Sequence, residues 1–156
     1  MKRDYPDRPI VGVGAVIVEN GRVLLVRRGT EPLKGEWSIP GGVVELGETL
    51  RQAAAREAKE ETGLEVEPGE VLEVVDRIIR DAERKIQYHY VLVDFLCRRL
   101  AGDARPGADA SELRWITARE LEGFSIADSA AAVLRKGFDA AQDQTARNSR
   151  ESAGRR

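Results

Sequence analysis

GVVELGETLRQAAAREAKEETGL, residues 42–64, encodes one helix with a concentrated load of acid. Thr49 followed by Gln52 makes a capping box, so a helix is expected from Leu50 to Thr62, stopped by Gly63 as its C′ residue. Glu57, Glu60 and Glu61 then fall at i, i+3 and i+4 and share a face. Like charges so placed repel by roughly 0.2–0.5 kcal/mol per exposed pair, and by more where water is scarce. On a wheel drawn from Leu50, residues Ala53, Ala54, Glu57, Glu61 and Leu64 lie within about 60° of it and Glu60 just outside. Gln52, Ala55 and Lys59 occupy the far side. A solvated face would put the acids there, among the lysines. Unpaired buried carboxylates are costly, and Arg56 neutralises only part of this charge. A divalent cation does it better: hard oxygen ligands select Mg²⁺ or Mn²⁺, and Mg²⁺ is commonly held by a few carboxylates plus substrate phosphates. The stretch therefore points to phosphate chemistry.

Upstream, Pro40-Gly41-Gly42 is a tight turn whose backbone can approach a ligand closely, and it places carbonyls beside the acidic patch. Glu45 and Glu48 add acids just before the helix. Further out, VGVGAVIVE (11–19), Asn20-Gly21 and RVLLVRR (22–28) read as a β-hairpin. The loop GTEPLKGEW leads to SIPGG. After the helix, VLEVVDRII (71–79) and KIQYHYVLVDFLC (85–97) read as strands joined by RDAER, the second apolar on both faces as a central strand is. ELRWIT reads as a short strand, ARELEGF as a short helix, and SIADSAAAVLRKGF as a closing helix with Ser125 or Asp128 near its start. Asp139 to Arg156 is polar and reads as a frayed or mobile tail. The irregular alternation implies one α/β or α+β domain with a mixed sheet, over residues 9–138, between an extension (1–8) and the tail (139–156).

Bulk properties agree. The chain has 156 residues, 42% apolar and 33% charged, with 25 basic against 27 acidic side chains. That balance suggests neither a general nucleic-acid binder nor a membrane binder. Cys97 is the only cysteine, so no internal disulfide forms and a reducing compartment is expected. It sits in an apolar run and reads as a small buried hydrophobe. No signal core or spanning segment is seen, and a cytoplasmic protein is expected.

Residues 42–64 resemble the Nudix box, G-x5-E-x7-R-E-U-x-E-E-x-G-U, where U is aliphatic. All nine specified positions are met: Gly42, Glu48, Arg56, Glu57, Ala58, Glu60, Glu61, Gly63 and Leu64. Ala58 is a small occupant of its U position. The resemblance implies a Nudix-type α/β/α sandwich with a mixed curved sheet. It also implies Mg²⁺-dependent hydrolysis, with Mn²⁺ as substitute, of the pyrophosphate bond in a nucleoside diphosphate linked to another moiety X. Glu57, Glu60 and Glu61 become metal ligands, together with the backbone carbonyl of Gly42 or Gly41. Arg56 orients a glutamate, Glu48 pairs with Arg56, and Glu60 or Glu61 is the general base. A later acid, Asp109 or Glu112, joins the site. The partner implied is a small-molecule nucleotide, and homodimers occur among relatives. The competing reading is a non-catalytic nucleotide sensor of the same fold, but such domains usually lose acids that this box keeps.

Arg27 and Arg28 end a strand facing the loop before the box and are candidates for a substrate phosphate. Trp37 could stack on a base, with packing favoured. His89 reads as a strand residue, with Tyr88 and Tyr90 on the other face. The proline that often follows the box in the ADP-ribose subgroup is absent between Pro68 and Pro106. A nucleoside triphosphate, ADP-ribose and a nucleotide sugar all stay open as substrates.

Overall fold

The computed structural model describes residues 2–30 and 33–155. Glu31 and Pro32 of the GTEPLKGEW loop, and the chain's first and last residues, lie outside that description.

Strands β1 (Ile10–Glu19) and β2 (Arg22–Arg28) form the expected hairpin. Its turn residues Asn20 and Gly21 have φ of 52° and 73°, the left-handed pair that a two-residue hairpin turn requires. Short strands β3 (Trp37–Ser38) and β4 (Gly41–Val43) lead into helix α1 (Leu50–Thr62). They are followed by β5 (Glu65–Arg80), β6 (Ile86–Ala101) and β7 (Ala110–Thr117), then helix α2 (Asp128–Gly154). Among the described residues, seven strands make one mixed sheet in the order β3-β2-β1-β6-β5, with β4 on β1 and β7 on β2. β1 and β6 run parallel, and the other pairs run antiparallel.

Period-2 alternation along β1 and β6 divides the core. Val13, Ala15, Ile17, Val93, Phe95 and Cys97 face α1, where Ala53, Ala54 and Ala58 meet them. Val16, Val23, Leu25 and Ile116 face the other way and are covered by Val133 and Leu134 of α2. The sheet thus lies between two helices, the α/β/α sandwich expected. Cys97 is buried, and burial pushes its thiol up to about 12, which suits an inert packing residue.

The helix bounds, the capping box and the Gly63 cap at φ 76° are as read from sequence. The buried stripe is not. It centres on Ala54, Ala58 and Thr62, while Leu50 is 37% exposed. The stripe is turned away from Leu50, so the glutamates flank the buried face rather than occupy it. ARELEGF forms the expected short helix, of 3-10 type, over Arg119–Gly123. Helix α2 starts at Asp128, and its N-cap is Ala127 without a side-chain bond. One other expectation changes. From Asp139 onward, where a mobile tail is expected, α2 continues to Gly154, exposed from Gln142 on. Its Ala, Gln and Arg residues are good helix formers and no proline interrupts them, so backbone propensity extends the helix beyond its apolar stripe.

Candidate active site

Strand β4 brings the Pro40-Gly41-Gly42 turn against α1. The Gly41 N–H donates to the Glu61 carboxylate at 3.2 Å. Any Cβ on Gly42 would fall inside contact with the Glu57 carboxylate, so only glycine leaves that carboxylate its place. The turn and the helix are therefore fitted to each other through two acids.

Arg56 organises the rest. Its Nε and Nη2 donate to the two Glu48 oxygens at 2.6 and 2.9 Å, a bidentate clamp. Nη1 donates to Glu57 at 2.9 Å and reaches Glu60 at 3.3 Å, and Nη2 also meets the Val43 carbonyl at 3.0 Å. The pairing holds the Glu48 carboxyl down at about 2 and raises the Arg56 guanidinium. The site's oxygens differ in setting: the Glu57 and Glu48 side chains are each 14% exposed, whereas that of Glu60 is 58% exposed.

Burial pushes the Glu61 carboxyl up to about 7, with Glu57 and Asp109 adding to the rise and the Gly41 N–H and Arg28 opposing it. Burial also raises Glu57, against the pull of Arg56. Among the described residues, no three acidic, imidazole or thiolate side chains converge on one point. Like charges separate here, Glu57 and Glu60 being drawn to Arg56 and Glu61 to Gly41. The donor set nonetheless fits a hard cation: half-buried carboxylates whose proton affinity is raised, beside a turn of glycines.

The later loop is docked on the end of α1. Arg105 N–H donates to the Thr62 carbonyl at 2.8 Å and Gly107 N–H to the Glu61 carbonyl at 2.9 Å. This brings the charge of Asp109 to bear on Glu61. Glu112 is engaged elsewhere, 2.7 Å from Arg114 and 3.7 Å from Arg27. Arg27 and Arg28, adjacent on β2, act in different places. The charge of Arg28 reaches Glu61. Arg27 donates to the Gly35 carbonyl at 3.1 Å and lies 6.0 Å from the Trp37 ring centroid. Trp37 packs edge-on against Phe124 at 5.4 Å. With Arg27, Arg114 and Arg119 these rings line a groove of about 620 Å³. Tyr88 and Tyr90 stack at 6.3 Å on one face of β6, with His89 between them on β6. Arg3, which carries no sequence signal, acts electrostatically on Glu57.

The family model for the NUDIX domain matches residues 8–137. A Methanocaldococcus jannaschii protein named ADP-ribose pyrophosphatase is 34% identical over 113 residues, covering 72% of this chain and 64% of that protein. A Streptomyces ambofaciens protein named MutT-like protein is 35% identical over 108 residues, covering 69% of this chain and 63% of the relative. The chain thus matches a little under two thirds of the length of these relatives. Among solved structures, a MutT NUDIX hydrolase from Burkholderia pseudomallei superposes with a TM-score of 0.71 at 30% identity, covering 83% of this chain and 98% of that one.

Proposed function

This chain belongs to the NUDIX family, and on that premise we propose that it is a hydrolase cutting the diphosphate bridge of a nucleoside diphosphate linked to a further group. The observation that carries the reading is the pair of half-buried carboxylates, Glu57 and Glu61, held against the Gly41-Gly42 turn beside the Arg56 clamp.

Glu57, Glu60 and Glu61, with the backbone carbonyl of Gly42 or Gly41, would hold Mg²⁺ or Mn²⁺, and Asp109, whose charge reaches Glu61, would join them. When bound, such a cation neutralises the diphosphate and polarises its oxygens. Arg56 fixes Glu57 through Nη1 while Glu48 fixes Arg56, so the carboxylate is oriented before substrate arrives. Arg28 adds positive charge near Glu61 for the anionic substrate. A water oxygen attacks phosphorus, its proton passes to the Glu61 or Glu60 carboxylate, and the bridging P–O bond breaks with its electron pair on the leaving phosphate. Substrates to try are nucleoside triphosphates, ADP-ribose, which the name of the archaeal relative carries, and nucleotide sugars. The substrate is a free nucleotide rather than a nucleic acid, and the location proposed is the cytoplasm: no helix among the described residues is long and apolar enough to cross a membrane. A homodimer is carried over from the family.

The test is a panel of these compounds with Mg²⁺, read as nucleoside monophosphate or phosphate release. Turnover of at least one compound is expected, falling about 10²-fold or more in Glu60→Gln and in Glu61→Gln. Full activity in both variants would remove their assigned roles. No turnover across the panel, with nucleotide still bound, would leave the sensor reading in its place. A Glu61→Gln variant that loses turnover but keeps cation affinity makes Glu61 the base, while loss of both makes it a ligand.

A further inference from the structure

On the sheet face opposite α1 lies a carboxylate that the hydrolytic site does not use. Asp94, on β6, is 6% exposed. Its carboxylate accepts no hydrogen bond from any described residue, although Thr62, the other buried polar residue among them, has its hydroxyl bonded at 2.5 Å. No side-chain oxygen or nitrogen that is fully shielded lacks a partner among the described residues, so solvent still reaches the Asp94 oxygens. The group is thus sunk in the sheet but open at its tip.

Among the described residues, none gives it a counter-charge. Asp94 stands opposite Gly14 in the parallel β1–β6 pairing and opposite Glu73 in the β5–β6 pairing. The missing side chain of Gly14 leaves the space in which the Asp94 carboxylate lies, and Ile39 borders the same space. The nearest acid, Glu73, is paired with Lys136 of α2. Burial, and then Glu73, push the Asp94 carboxyl up to about 6. A fold does not gain stability from such a group: a buried carboxylate without a donor costs free energy that an apolar or amide side chain would avoid. A largely buried carboxylate with no protein donor calls for an explanation, and a ligand that supplies donors at its open tip is one.

The position connects to the hydrolytic site. Gly14 pairs with Asp94 on one side and with Gly41 on the other, and Gly41 donates to Glu61. Three adjacent strands therefore carry Asp94 and the Glu61 contact at one level of the sheet. Ile39 and Trp37, two residues apart, pack on the same face as Asp94 and extend it toward the arginine-lined groove.

Resting on the reading of a nucleotide substrate, we propose that Asp94 is the group with which this chain reads the nucleobase, its two oxygens accepting from a pair of adjacent N–H donors. Two acceptors side by side complement the guanine edge, whose ring N–H and amino group are adjacent donors. Adenine and cytosine place one amino group beside a ring acceptor, and uracil places a single N–H between two carbonyls, so each leaves an Asp94 oxygen facing an acceptor or nothing. A site built to hydrogen-bond a polar edge rejects the edge that lacks it more strongly than a hydrophobic pocket rejects a changed volume.

The experiment measures, by calorimetry with Mg²⁺, binding of the α,β-methylene diphosphates of guanosine, adenosine, cytidine and uridine, which resist cleavage at that bridge. Wild type, Asp94→Asn and Asp94→Ala are compared, with melting temperature as the check of folding and Glu151→Gln, on the exposed end of α2, as a control variant. Wild type is expected to prefer the guanine compound. Asp94→Asn, which offers one acceptor and one donor, should bind it at least 10-fold more weakly and shift preference toward adenine or cytosine, while Glu151→Gln keeps the wild-type ranking. Equal wild-type affinity for all four compounds, no binding of any, or a ranking unchanged in Asp94→Asn would each overturn the proposal. Binding is scored separately from turnover of the cleavable compounds in the panel above: an altered ranking without turnover of any panel compound would fault the hydrolase reading alone, and turnover with an unaltered ranking would fault Asp94 alone.

Discussion

Replacing Asp94 by asparagine should make the protein more stable at neutral pH and leave it unchanged in acid. The carboxyl is moved from its ordinary 3.8 to about 6 by burial and then by Glu73. Because the folded value is the higher one, the folded state binds the proton more tightly. The associated stability is complete below about pH 4, declines as the unfolded chain ionises, and is gone once pH passes through the folded value near 6. At ~1.36 kcal/mol per pH unit the full loss is at most ~3 kcal/mol, and solvent access to the carboxylate tip brings the expected figure to ~1–3 kcal/mol. Asparagine keeps the shape and never ionises. Its melting temperature should therefore exceed wild type at pH 7.5 by roughly 2–4 °C per kcal/mol, and match it at pH 4. Thermal denaturation across pH 4–8, followed by circular dichroism without nucleotide, reads this directly. An asparagine variant no more stable than wild type at pH 7.5, or one gaining equally at pH 4, would refute the reasoning.

Other perturbations test the hydrolytic site. Gly42→Ala should keep the fold but displace the Glu57 carboxylate, lowering turnover about 10²-fold with near-native far-UV circular dichroism, since the added Cβ occupies the carboxylate's space. Arg56→Lys replaces a bidentate fork by a point charge, so turnover should drop about 10-fold or more and the melting temperature should fall as Glu48 and Glu57 lose their shared partner. Gly107→Ala places a Cβ against the backbone of Glu60 and Glu61, so the loop carrying Asp109 should lift from α1, seen as faster amide exchange at Arg105 and at position 107 and weaker cation binding. Full activity in any of these variants would break the corresponding link.

Local signals made part of this molecule legible in sequence. Asn20-Gly21 dictates a turn by its own dihedral preferences, and Thr49 with Gln52 closes a cap within four residues, so the hairpin and α1 follow from near neighbours. The spacing of Glu57, Glu60 and Glu61 put them on one side of α1 for the same reason. Their burial was harder to read, because it depends on how the helix rolls against β1, and Ala58 and Thr62 rather than Leu50 turned out to face the sheet. Sequence left Asp109 and Glu112 open as the later acid because their distance from Glu61 depends on where a loop docks, a matter of the Gly107 contact with the end of α1, some 46 residues along the chain from Glu61. Asp94 was invisible as a special residue: within an apolar strand nothing local reveals that its partners across the sheet are a glycine and an ion-paired glutamate. The polar end of α2 showed the opposite limit, since composition without an apolar stripe argues against docking but not against helix.

The central claim, that the α1 carboxylates hold a divalent cation against a diphosphate, is tested most directly by titrating Mn²⁺ and following its electron-spin resonance, with and without an uncleavable nucleoside diphosphate. Wild type is expected to take up the ion, more tightly once the nucleotide is present, and the Glu57→Gln, Glu61→Gln double variant to lose that uptake while remaining folded. Uptake by the double variant equal to wild type, or none by wild type in either condition, would contradict it.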